Sequence, residues 1–273
     1  MTTPAKLTIF ATVLGLVFGA AALAGGAVGR IHDPAAVATS EMSMEADPMR
    51  GLAVSENGLT LELAQRTARP DTKFRLAFRI LGEDGRAVRE FDVEHTKRMH
   101  LIVVRRDLSG FQHLHPTLRA DGTWTTPLTL PQAGTYRVFA DFSVSGKPTT
   151  LADDLQVDGD VQSRELPAPS KTAEADGFRV RLVDGAVRAG TESPLTFNVT
   201  RNGKPVSLQD YLGAKGHLVA LRRGDLAFLH VHPDENSLRF DASFPTAGSY
   251  RLFLQFKVAG LVHTAAFTLE VSR

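Results

Sequence analysis

The sequence predicts an all-β protein: two tandem β-sandwich domains behind an N-terminal transmembrane helix. Three observations carry this reading. An uncharged run of 23 residues fills positions 7–29 between Lys6 and Arg30. From about residue 57 the pattern changes to period-two alternation of apolar and polar residues, recurring in short segments to the C-terminus. The second half then repeats the first. His100 followed, after twelve residues, by His113-Leu114-His115-Pro116 is answered by His217, the same gap, and His230-Val231-His232-Pro233. Aligned without gaps, 100–116 and 217–233 are identical at eight of seventeen positions.

The first element is residues 1–30. A helix of about 20 apolar residues crosses the hydrocarbon core of a bilayer, so 7–29 reads as a single-pass anchor in the cytoplasmic membrane. A signal peptide competes with it, because Ala22-Leu23-Ala24 has the small-x-small form of a cleavage site and Lys6 could be its basic start. Cleavage there would remove residues 1–24 and leave a secreted chain. The anchor is favoured because the apolar run continues past Ala24, and either reading puts the bulk of the chain outside the cytoplasm. Residues 31–56, rich in Ala, Ser, Pro and acidic side chains and without periodicity, read as a flexible linker. Met42, Met44 and Met49 cluster in it; thioethers suit Cu(I), although methionines in a flexible tether are the simpler account.

Domain 1 is expected over 57–158. The segment around 74–80 sets the pattern: Phe74, Leu76, Phe78 and Ile80 alternate with mostly polar residues, as in a half-buried strand. Further strands are expected at 59–63, 99–105, 111–115, 122–128, 136–143 and 149–157, and seven short strands in about 100 residues describe a sandwich. Residues 159–176, with Pro167 and Pro169 at their centre, read as a Pro-containing linker. Domain 2, 177–273, repeats the strand order. Ala133-Gly134-Thr135-Tyr136-Arg137 is matched by Ala247-Gly248-Ser249-Tyr250-Arg251, which resembles the tyrosine corner of immunoglobulin-like sandwiches, with Gln132 and Thr246 where an Asp is common.

Composition narrows the chemistry. With no cysteine, disulfides, iron–sulfur clusters, thiolate zinc sites, blue copper and cysteine nucleophiles are excluded. Lys plus Arg (31) nearly balance Asp plus Glu (30), so nothing favours nucleic acid as a partner. Any metal must be held by imidazole, carboxylate or thioether.

The histidines supply imidazole in a metal-ligand pattern. Residues at i and i+2 share one face of a strand. If 100–105 pairs with 111–115 in a register setting 100 opposite 113, 115 or 117, three rings share that face and can converge on Zn2+ or Cu2+. The candidate ligands are His100, His113 and His115 in domain 1 and His217, His230 and His232 in domain 2, one three-histidine site per domain. Further candidates are His95 and Met99, replaced in domain 2 by Leu212 and Gly216, and His263, replaced in domain 1 by Thr149. Hydrogen-bonded structural histidines are the competing reading. Duplication argues against it, since apolar neighbours have diverged (Ile102/Val219, Val104/Leu221) while the imidazoles have not. All-imidazole ligation favours a copper ion over zinc. The repeated Arg105-Arg106 and Arg222-Arg223 read as edge-strand charges that discourage pairing with other molecules. A hydrolytic three-histidine zinc centre ranks last, because no catalytic triad or acid/base carboxylate recurs, and no enzyme is expected.

On MHLIVVRRDLSGFQHLHP, DGTWTTPLTLPQAGTYRVFADF, GHLVALRRGDLAFLHVHP and AGSYRLFLQF, the chain resembles a family of membrane-anchored exported proteins, commonest in actinobacteria and labelled heavy-metal-binding or simply secreted. The resemblance covers most of 58–271 and implies cupredoxin-like or immunoglobulin-like sandwiches with a metal role. The expected function is extracytoplasmic metal buffering, or transfer to a membrane metal transporter. The alternative is a non-catalytic cell-surface interaction or spacer protein with structural histidines.

Overall fold

The computed structural model describes residues 50–273 except 185, 230 and 235, with backbone alone at 232 and 233. The run 7–29, expected to be an anchor, and Met42, Met44 and Met49 lie outside the described residues. Among the described residues every regular element is a strand, and no helix is long and apolar enough to cross a membrane.

Each half is a two-sheet sandwich. In the first, one sheet runs Ser55–Glu56, Leu59–Leu63, Phe74–Leu81, Trp124–Leu128, Thr117–Leu118. Its facing sheet runs Thr67–Ala68, Lys147–Val157, Gly134–Val144, His100–Arg105, Gln112–Leu114. The second half repeats both orders, ending in the sheet Val187–Arg188, Leu261–Ser272, Gly248–Val258, Gly216–Arg222, Phe228–Leu229. Alternation works as the sequence predicts in Phe74–Leu81, where Leu76, Phe78 and Ile80 are almost wholly buried. In the second half the hydroxyl of Tyr250 donates to the Thr246 carbonyl at 2.9 Å, closing the corner that the Ala-Gly-Ser-Tyr segment predicts.

His100–Arg105 departs from simple alternation, being buried on both faces. Leu101 and Val103, with Met99 before them, point into the sandwich core of the first half. Ile102 and Val104 point the other way, into a third apolar core shared with Val219, Leu221 and Phe253 of the second half. That core explains why the run HLIVVR is continuously apolar: a strand covered on both sides has no wet face. The contacts exchange between equivalent residues. Phe111 stacks on Phe253 at 4.0 Å, and Phe228, the counterpart of Phe111, meets Phe139, the counterpart of Phe253, at 5.8 Å. The two halves therefore meet as the subunits of a symmetric dimer do.

Several expectations are corrected here. Residues 50–53, read as flexible linker, run along the interface: the Gly51 amide donates to the Thr150 carbonyl and the Phe228 amide to that of Arg50. The linker over 159–176 is also held in place. Arg105 donates to the Gln162 carbonyl, the Arg164 amide donates to Asp107, and 172–175 form the strand Thr172–Ala175. Arg105 is not an edge charge, because its strand lies between Gly134–Val144 and Gln112–Leu114 and its side chain is 4% exposed against Asp107 at 2.9 Å. Arg222 pairs in the same way with Asp225. One compensating shift in the turn sets Asp107 and Leu108 against Asp225 and Leu226, both leucines at positive φ (65° and 63°) and both in the third core.

Candidate metal centre

The interface face of His100–Arg105 carries the candidate ligands. Its neighbour Gln112–Leu114 pairs with Leu101 opposite Leu114 and Ile102 opposite His113. This is the register that sets 100 opposite 115, one of the three that the sequence reading requires. Pairing stops after Leu114, and beyond Pro116 the chain joins the other sheet as Thr117–Leu118. His113 and His115 thus sit at a corner, on the same side as His100 and facing the second half.

The trio converges. One nitrogen each from His100, His113 and His115 lies within 4.8 Å of the other two. His100 Nδ1 and His113 Nε2 are 3.0 Å apart. The outer nitrogens are both engaged: His100 Nε2 lies 3.2 Å from the Glu94 carbonyl and His113 Nδ1 lies 2.7 Å from Gln255 Oε1 of the second half. A carbonyl only accepts, so His100 Nε2 carries the proton and Nδ1 of the neutral ring holds a lone pair. With Gln255 accepting likewise, His113 Nε2 also holds a lone pair. Two lone pairs then face each other at 3.0 Å, a repulsive arrangement that a cation between them relieves. For comparison, two nitrogens on one tetrahedral ion at about 2.1 Å stand about 3.4 Å apart. Acceptors on the outer nitrogens fix the tautomer of each ring, as partners of this kind do for histidines that ligate metals. Nε2 of His115 is buried with no hydrogen-bond partner among the described residues.

His217 does not stand apart from this trio. Its ring lies 5.3 Å from that of His100, 5.5 Å from that of His113 and 5.0 Å from that of His95. A cleft lined by His95, His100, His113 and His217, though not by His115, offers about 30 Å³, room for a water-sized occupant. Burial keeps the imidazoles neutral. It pushes His113 down to about 3, helped by His100 and His115, His115 to about 4, and His217 to about 2, helped by His113 and His100. His100 is also lowered by burial, against the opposing pull of Asp141. Neutral imidazole is the form that binds metal.

The other candidates separate. Met99 is 1% exposed and faces the sandwich core, because strand alternation turns it away from His100. His263 Nδ1 donates to the Asp176 carboxylate (2.8 Å) and its ring packs on Phe178 and Phe256, which makes it a structural residue of the second half. His95 does reach the cluster, from the tight loop 94–97. His230 and the side chain of His232 lie outside what the structure describes. Sequence reasoning missed Gln255, whose signal was a polar residue inside the apolar run RLFLQF, at the position Asp141 holds in RVFADF; Asp141 lies opposite His100 and Gln255 opposite His217.

The fold and site define a duplicated β-sandwich protein with a histidine cluster where its halves meet. The chain belongs to the family of a domain of unknown function, DUF8832, which matches residues 53–159 and 173–273. Among curated proteins none matches it. Solved structures similar to it include the Escherichia coli adhesin FdeC (16% identity, TM-score 0.29, covering 81% of this chain and 66% of that one). Yersinia pseudotuberculosis InvE (13%, 0.25, 80% and 60%) and titin A168–A169 (14%, 0.21, 78% and 96%) are also similar. The chain thus spans less than two thirds of either adhesin's length.

Proposed function

We propose that this chain is a non-catalytic, membrane-tethered, extracytoplasmic metal-binding protein that holds a copper ion through His100, His113 and His115. It buffers the ion or passes it to a membrane metal transporter. The observation that carries this reading is the pair of imidazole nitrogens at 3.0 Å whose outer nitrogens are occupied by Glu94 and Gln255. Copper is favoured over zinc because intrinsic affinity at nitrogen sites rises to Cu2+ and falls at Zn2+. The uncharged run 7–29 supports the tether.

A second reading has its own observation. With the Gln255 amide turned over, its nitrogen would donate to His113 Nδ1, and His113 Nε2–H would donate to His100 Nδ1. The same residues would then form a metal-free hydrogen-bond chain in a cell-surface interaction or spacer protein. Titrating the full-length chain with Cu2+ and Zn2+ separates the two. Saturable binding that His113→Ala with His115→Ala abolishes supports the metal role; substoichiometric uptake unchanged by that pair supports the spacer.

A further inference from the structure

We propose that the ion is held between the two halves, with His217 of the second half supplying its fourth nitrogen, so that one shared centre replaces one site per domain. This inference rests on the metal-binding reading above.

Four imidazoles around one ion, tetrahedral or flattened toward the square plane that Cu2+ prefers, keep neighbouring ring centroids about 4.5–5.5 Å apart. Five of the six pairs fit that spacing: His100–His113 at 5.3 Å, His100–His115 at 5.1 Å, His113–His115 at 4.8 Å, His217–His100 at 5.3 Å and His217–His113 at 5.5 Å, while His115 and His217 make no ring contact and stand on opposite sides of the proposed centre. The nitrogens that lie within 4.8 Å of one another are those of the trio, without His217. No described group hydrogen-bonds to either of its ring nitrogens, and its ring lines the same cleft as His100 and His113.

The surroundings position it. His95 meets the His217 ring from a loop that holds two successive residues, His95 and Thr96, at φ 47° and 67°. Side chains with a Cβ rarely adopt that conformation, and its persistence marks a segment fixed by its environment. The matching loop of the second half, 211–214, approaches it: a Cβ on Gly213 would lie 3.8 Å from the Thr96 methyl. His113 already crosses the boundary to Gln255, whose strand partner is His217. An ion bound by rings from both halves stabilises their packed arrangement by mass action, and separating the halves releases it.

The test uses the full-length chain loaded with Cu2+, with stoichiometry from titration and the number of bound imidazoles from pulsed paramagnetic resonance. The expected result is one ion with four imidazoles in the wild type. His217→Ala should bind at least tenfold more weakly and show three. Unchanged affinity and imidazole count in His217→Ala, or two equivalent ions in the wild type, would overturn the inference. Loss of binding in the His113→Ala, His115→Ala pair but not in His217→Ala would sink this proposal and leave the metal role standing, whereas no binding at all sinks both. If His217→Ala does not fold, the wild-type counts decide alone, three imidazoles counting against the proposal.

Discussion

His113 Nδ1 lies 2.7 Å from Gln255 Oε1, so a ring from the first half is oriented by an amide from the second. This contact spans 142 residues of sequence and sets which His113 nitrogen faces the other imidazoles.

Replacing Gln255 distinguishes the roles open to it. If Oε1 accepts the His113 proton, Gln255→Glu preserves the acceptor and keeps copper affinity, whereas Gln255→Leu lowers it about 10–100-fold. Competition against a chromophoric chelator measures both. Equal loss in the two variants would contradict the acceptor role.

Stability without metal should fall on acidification. The folded pKa of His113 is pushed down to about 3, below the ordinary 6.5, so the unfolded chain takes up a proton first as pH drops. The contribution is intact above about pH 6.5 and is lost as pH falls toward 3, amounting to about 2 kcal/mol between pH 7 and pH 5 for His113 alone. His217 acts in the same direction. Urea unfolding with chelator at pH 7, 6 and 5 measures this, and His113→Leu should flatten the slope.

The two turn pairs should differ. Arg105 and Asp107 are 4% and 10% exposed, so Asp107→Ala strands a buried guanidinium and costs about 3–5 kcal/mol. Arg222 and Asp225 are 16% and 40% exposed, and Asp225→Ala should cost about 1 kcal/mol. Denaturant midpoints of the two variants give the comparison, and equal costs would contradict it.

Gly51 should tolerate no side chain. Its φ is 70°, and an added Cβ would lie 2.7 Å from the Phe139 ring. Gly51→Val should therefore cost about 2–4 kcal/mol through strain and overpacking, read as a lower thermal midpoint. A neutral result would mean that the strap at 50–53 is not packed in solution.

The sandwiches were legible because alternation in segments such as 74–81 reports directly which face is wet. The histidine hairpin was legible for the same reason, since i and i+2 share a face whatever the partner. The meeting of the halves was not read, although the run HLIVVR carried it: a strand buried on both faces looks like any short apolar strand when its second cover lies more than a hundred residues away. Gln255 and His217 reach the trio only through that packing. Met99 was open to parity from the outset, since it is adjacent to His100 and so faces the other way.

The central claim is that these imidazoles hold copper. Elemental analysis of the chain, purified from its native source without added metal, tests it most directly. The account predicts copper at close to one per chain, removed by strong chelators and absent from the His113→Ala, His115→Ala variant. A chain that carries only trace metal, and that takes up none when copper is supplied, would contradict it.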